Sequence, residues 1–295
     1  MVETPLLLPC EGNHLLGILA EPDPAAVGTR ASLGVVIVVG GPQYRAGSHR
    51  HFVNLARSLA DSGLPTLRFD VRGMGDSPGV QRDFLNLAVD LRAAIDGLLA
   101  ARPQLRQVVL WGLCDGASAA LLYLQTSRDT RVAGVCLVNP WVRSEESVAR
   151  TYVKHYYRAR LFDPKVWKKA LTGGLAPHAL RDALQSLYRS LCSRTGSRPS
   201  HDSFQHRMAD GLASFKGPVL VQLSDNDYTA KEFTEVTQSQ PYWRHALANP
   251  AVQWCSLSGA DHTLSSRQAQ LQARESMAAW LCDRVLPLLK RTSTP

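Results

Sequence analysis

Six short runs along the chain have strand character, several of them apolar on both alternating faces: Leu33–Val39, Pro65–Val71, Gln107–Leu113, Val132–Val138, Pro218–Leu223 and Val252–Leu257. Runs of this length, rich in Val, Leu and Ile, mark strands covered on both sides. Between them lie segments with helical spacing. Ser48–Asp61 places Phe52, Leu55, Ala56 and Leu59 on one face and meets a stop at Gly63. Asp83–Ala101 repeats Leu87, Leu91, Ile95 and Leu98 in the same way, and Gln268–Lys290 reads as a C-terminal helix bent at Pro287. Alternation of this kind predicts an α/β fold, a mostly parallel central sheet with helices on both faces. Pro5–Pro9 and His14–Ala20 add an antiparallel hairpin at one edge.

One stretch breaks the rhythm. Almost eighty residues separate the strand ending at Val138 from the one starting at Pro218, too many for a structureless loop in a compact domain. We read residues 1–140 and 217–295 as one core domain and 141–216 as a basic, mostly helical lid inserted into it. That segment holds 14 Lys/Arg against 6 Asp/Glu, whereas the rest of the chain holds 19 of each, so it carries the whole net charge of +8. A basic insertion suits an anionic ligand; a solvated surface with no ligand is the plain alternative.

Composition narrows the class. At 45% hydrophobic and 20% charged residues, the chain is that of an ordinary globular protein. Glu3, Pro9, Glu11 and Gly12 do not fit a secretory leader, and no apolar run reaches bilayer length, so a cytoplasmic protein without a transmembrane segment is expected. The six cysteines form no C-x-x-C pair. Cys136, Cys255 and Cys282 sit in apolar runs and read as small buried hydrophobes. No His/Cys/Asp cluster has metal-ligand spacing, and no nucleic-acid motif accompanies the basic segment, so neither metal nor nucleic acid is expected and no cofactor is implied. Oligomeric state is not legible.

Chemistry gathers at Gly112-Leu113-Cys114-Asp115-Gly116, which follows a strand and opens a helix. This is the G-x-S-x-G nucleophile elbow with Cys in place of Ser. The glycines fit because residues two before and two after a strained turn crowd the neighbouring strand and helix. N–H groups at the start of the helix stabilise a thiolate, and the N–H of Asp115 supplies one oxyanion donor. The alternative for Cys114 is a buried structural thiol. Gly75-Asp76-Ser77-Pro78-Gly79 matches the same pattern, but Pro78 has no N–H to donate and the run lies in a turn, so it is rejected.

A thiol nucleophile needs a base and an orienting acid, in the order nucleophile, acid, histidine. His262 lies in a loop between the last strand and the last helix, the place expected of the base. Ser224-Asp225-Asn226-Asp227 supplies the acid, with Asp227 favoured over Asp225 and Asp261 a weaker choice. The second oxyanion donor falls in Gly40-Gly41-Pro42-Gln43-Tyr44. Pro42 has no N–H, which leaves Gly41 or Gln43 open. Tyr44 and His49 are candidates for substrate binding, as is His51, with helix capping an equal reading for the histidines. His155, His178, His201 and His206, within the basic segment, read as solvent-facing.

With these parts in place the whole chain resembles the α/β-hydrolase superfamily. More narrowly, Val39-Gly40-Gly41-Pro42-Gln43-Tyr44-Arg45, Phe69–Ser77, Trp111–Ser118 and Asn139-Pro140-Trp141 resemble the exosortase A system-associated hydrolases. That resemblance implies a role near exopolysaccharide production or surface-protein sorting. Three functions are then expected in turn: an acyl hydrolase acting on a thioester or ester, an acyltransferase using the same thiol, or an inactive scaffold that binds a partner. The acyl group would be a small molecule, or ride on coenzyme A or an acidic carrier protein held by the basic lid.

Overall fold

A computed structural model describes residues 1–23, 32–41, 43–143 and 203–292. Eight strands form one sheet in the order β1-β2-β4-β3-β5-β6-β7-β8. They are β1 (Val2–Cys10), β2 (Asn13–Glu21), β3 (Leu33–Val38), β4 (Thr66–Phe69), β5 (Gln107–Leu113), β6 (Val132–Val138), β7 (Val219–Ser224) and β8 (Val252–Leu257). The hairpin β1–β2 pairs antiparallel, β2 joins β4 antiparallel, and every later pairing is parallel. The fold is that of an α/β-hydrolase.

Period-two alternation within the inner strands sorts their side chains onto two faces. In β3, Val36 and Val38 point to one core and Val35 and Ile37 to the other; in β5, Leu110 parts from Val109 and Trp111 in the same way. One face is covered by α2 (Ala88–Ala101), α3 (Asp115–Ser127), α4 (Phe204–Ser214), α5 (Tyr228–Ser239) and α6 (Pro241–Leu247), through residues such as Leu91, Leu121, Met208, Phe233 and Trp243. The other is covered by α1 (His51–Asp61) and α7 (Arg267–Trp280), through Phe52, Leu55, Met277 and Trp280. Right-handed crossovers put α1, which leads from β3 outward to β4, on the face opposite α2 to α6, which connect strands in the reverse direction across the sheet.

The last helix changes its winding before Pro287. A π-turn at Leu281–Val285, closed by the Leu286 N–H on the Leu281 carbonyl, joins α7 to α8 (Leu286–Thr292). Pro287 has no N–H for the preceding turn and its ring crowds the carbonyl four residues back, so widening that turn is the natural relief. Cysteine burial departs from expectation in part: Cys136 is buried, Cys255 is half-buried and Cys282 is exposed. Residues 144–202, most of the segment read as the lid, with its histidines 155, 178 and 201, lie outside the described residues. The part of that segment which is described includes α4, whose Met208, Ala209 and Leu212 are buried with α3. His206 is not solvent-facing: its ring stacks on Tyr242 at 4.7 Å and Nδ1 meets Asp210 at 3.2 Å. Among the described residues, no helix is long and apolar enough to cross a membrane.

The loop after β4 is pinned by buried charge. Arg72 donates from its backbone N–H to Asp90 Oδ1 at 2.9 Å and from Nη2 to Oδ2 at 2.8 Å, with both side chains buried. Ser77, the serine of the rejected elbow, accepts from the Leu16 N–H and donates to the Asp70 carbonyl at 2.8 Å. Its hydroxyl is consumed by the fold. Because Asp90 neutralises a buried guanidinium, Asp90→Ala is expected to destabilise the protein by about 3–5 kcal/mol in denaturant titration. A loss below about 1 kcal/mol would show that the pair contributes little.

Candidate active site

Cys114 occupies the tip of the turn between β5 and α3, with φ 58° and ψ −124°. A non-glycine residue in that conformation costs on the order of 1–3 kcal/mol, and the surroundings must impose it. They do so by crowding. A side chain at Gly112 would begin 2.6 Å from the Gly116 carbonyl, and one at Gly116 would begin 2.5 Å from the Val38 carbonyl. Only glycines let the strand end, the turn and the helix approach this closely. Hydrogen bonds then fasten the turn: the Cys114 N–H donates to the Val138 carbonyl at 2.9 Å, and its carbonyl accepts from Trp141 N–H at 3.2 Å. Ser118 Oγ adds a 2.6 Å bond to the Trp141 carbonyl.

The His262 ring meets a buried carboxylate close to the elbow thiol. Its Nδ1 lies 2.8 Å from Asp227 Oδ2. That bond is the leading reason that the imidazole pKa rises to about 10, followed by the nearby Cys114 side chain, while burial opposes the rise. Asp227 is itself fixed. As the N-cap of α5 it accepts from the Thr229 N–H at 3.0 Å and the Ala230 N–H at 3.3 Å, and only 5% of it is exposed. The neighbouring Asp225 is exposed, and Asp261 is turned toward Ser265. Of the three carboxylates weighed in the sequence, Asp227 is the one in contact with the imidazole.

The predicted oxyanion loop comes against this constellation. Gly40 sits where any side chain would collide with Asp115 Oδ1, the Gly116 nitrogen and the Leu113 carbonyl, and Gly41 has φ +62°. Pro42 lies outside the described residues. Gln43 spends its side chain on the loop, where Oε1 accepts from the Ser48 N–H at 3.2 Å. Tyr44 is 52% exposed beneath the Arg45 guanidinium, and His49 is exposed close enough to Asp261 to lower the pKa of that carboxyl in part. His51 is not available to a substrate. It is buried against Trp111, its Nδ1 lies 2.8 Å from the Ser48 carbonyl, and burial pushes its pKa down to about 4.

Two contributors were not assigned from the sequence. Asn139, buried at the end of β6 with φ 45°, donates to Ser224 Oγ at 3.0 Å and to the His262 carbonyl at 3.4 Å, and accepts from the Ser224 N–H at 2.8 Å. It ties the acid loop to the histidine loop. An Asn directly after a buried strand, tolerant of positive φ, was the available signal. The other is the carboxyl of Asp115, whose Oδ1 is buried against Gly40 without a hydrogen-bond partner among the described residues.

Comparison with known proteins agrees with this architecture. A family model described as serine aminopeptidase, S33, matches residues 31–189. No curated protein matches the sequence significantly. Among solved structures, an esterase of Pyrococcus furiosus, Pf2001, superposes with TM-score 0.63 at 15% identity, over 96% of this chain and 93% of that one. DcsB, solved with its substrate analogue, gives 0.62 at 16% identity over 96% and 100%. An alpha-beta serine hydrolase homologue from Coxiella burnetii gives 0.57 at 18% identity over 95% and 98%. Likeness at such low identity speaks to the fold, while the family match spans more than half of the sequence. The chain therefore belongs to the serine aminopeptidase S33 family of α/β-hydrolases, with a cysteine at the tip of its elbow.

Proposed function

We propose that the protein is an acyl hydrolase acting on thioesters or esters, with Cys114 as nucleophile, His262 as base and Asp227 as the residue that orients and charges the imidazole. The observation that carries this reading is the position of one imidazole between the elbow thiol and a buried carboxylate. In this reading the proton given up by the thiol already rests on the His262 ring, and the sulfur bonds to the acyl carbon as the carbonyl π bond opens onto oxygen. Collapse expels the alcohol or thiol, which leaves with the proton from His262. Water then attacks the thioester, gives a proton back through His262, and releases the acid and the free thiol. The N–H groups of Asp115 and Gly41 are the proposed oxyanion donors, with Gln43 the alternative, and exposed Tyr44 and His49 would line the approach.

Cysteine makes the acyl-enzyme a thioester, nearly isoenergetic with a thioester substrate. This supports acyl-coenzyme A or acyl-carrier substrates, held by the basic residues between 141 and 216. Transfer of the acyl group to a hydroxyl in place of water would use the same first half-reaction. The motif resemblance to exosortase A system-associated hydrolases supports a link to exopolysaccharide production.

Replacing Cys114 with Ala is expected to lower kcat on a panel of p-nitrophenyl esters and acyl-coenzyme A thioesters by at least about 10³-fold. Retention of most of the activity would remove the thiol from the mechanism. For the imidazole, a pKa of about 10 against 6.5 in the unfolded chain means that the charged form is favoured by folding. The stability this adds is fully present below pH 6.5 and is lost as pH rises through about 10. Asp227→Asn removes the main cause, so the His262 ring should titrate at a lower pH by NMR and kcat should fall about 10²–10⁴-fold. An unmoved titration would mean that Asp227 does not set the charge of the ring.

A further inference from the structure

The two edges of the sheet differ in kind. β1 forms one edge, where Pro5 and Pro9 lack N–H groups and Glu3 carries charge. Prolines and charges of this sort keep further strands from adding to an edge. β8 forms the other edge and reads Val252-Gln253-Trp254-Cys255-Ser256-Leu257, with neither proline nor charge. Among the described residues it pairs only with β7. The Ala251 and Leu257 carbonyls accept from the Val219 and Asp225 N–H groups, so odd-numbered residues of β8 turn their backbone toward β7. By alternation, Val252, Trp254 and Ser256 turn theirs outward. Trp254, in the middle, is 45% exposed, with its ring toward Phe233 at 6.3 Å. Beside it, between β8 and α5, runs a groove of two hollows, about 470 and 350 Å³, that share Leu223, Thr234 and Trp254. Arg244 lines the end near the start of β8, and Asp225 the end near its finish. Lys231 shares the Asp225 end, with its ammonium 5.5 Å above the Tyr228 ring.

We infer that β8 is a self-association edge: two copies of this chain pair their β8 strands antiparallel about a two-fold axis at Trp254, joining their sheets into one. The register that uses all three outward-facing residues sets Trp254 opposite the partner's Trp254, and Val252 opposite the partner's Ser256. The two tryptophans then exchange N–H···O bonds with their Cα atoms about 5.5 Å apart. Both indoles lie on the groove face of the joined sheet, as a cross-strand aromatic pair. The same axis exchanges the ends of the groove, so Asp225 of each copy comes toward Arg244 of the other. A second copy suits this edge better than an unlike strand, because one neutral strand, one central indole and opposite charges at its two ends complement themselves under a two-fold.

Sedimentation velocity of the full chain over a range of concentrations tests the association, and a particle of twice the chain mass is expected. Trp254→Lys removes the indole pair and sets like charges opposite each other, so dimer affinity should fall at least about 100-fold while the circular dichroism stays unchanged. A second variant reads the register without disturbing the fold. Position 253 lies opposite the partner's Cys255 in a pair without hydrogen bonds, where Cα atoms are about 4.5 Å apart and a disulfide can close. Diamide, which takes up the two hydrogens of a thiol pair, should therefore convert Gln253→Cys into a covalent dimer linked from the substituted position to Cys255 of the second copy. A wild-type chain that stays monomeric at every concentration overturns the inference. So does a dimer that folded Trp254→Lys leaves intact, or one in which diamide gives no link at position 253.

Discussion

The molecule is organised around a steric contact: the end of β3, the tip of β5 and the first turn of α3 meet with no room for side chains at Gly40, Gly112 and Gly116. That crowding forces Cys114 into positive φ at the tip of the turn. The surrounding bonds, from Cys114 N–H to Val138 and from Trp141 N–H to Cys114, hold the turn from the β6 side. The strain is local, and the buried parallel strands on either side supply the rigidity that sustains it. Everything chemical is delivered to this point by strand ends: Asp227 after β7, His262 after β8, and the glycine pair after β3. Such a gathering at the carboxyl ends of parallel strands is the general location of sites in open α/β sheets.

Electrostatics completes what the steric frame begins. Asp227 is held by the N-terminus of α5, and in turn holds the imidazole in its charged form. Asn139 and Ser224 join the two loops that carry this pair. A thiol is a better partner than a hydroxyl for an imidazole that is charged through the neutral range, because sulfur gives up its proton more readily. The cysteine and the raised imidazole are consistent parts of one design, whereas a serine in the same place would need a neutral ring to take its proton.

Much of this was legible in the sequence because the physics involved is local. Gln107–Leu113, Val132–Val138 and Val252–Leu257 form strands with the bounds that their apolar runs suggest, the other three inner runs agree to within a residue or two at each end, and β1 begins three residues before Pro5. The elbow follows from glycine spacing, and the preference for Asp227 over Asp225 from a loop pattern whose fourth position became a helix N-cap. What escaped depends on tertiary direction. His51 and His49 are two residues apart and read alike, yet one turns into the core beside Trp111 and the other to solvent. Cys282 lies in an apolar run but faces outward, because the π-turn resets the register of the last helix. The burial of Asp115 Oδ1 against Gly40 could not be read without knowing how closely the two approach.

The central claim is that the sulfur of Cys114 carries the acyl group. Brief incubation with an acyl-coenzyme A, acid quench and peptide mass spectrometry test it directly. The account predicts an added acyl mass on the peptide containing Cys114 that hydroxylamine removes, and that accumulates when His262 is changed to Ala after acylation is forced with an activated ester. Turnover of substrate with the acyl mass absent from Cys114 at every time, or fixed on another residue, would contradict it.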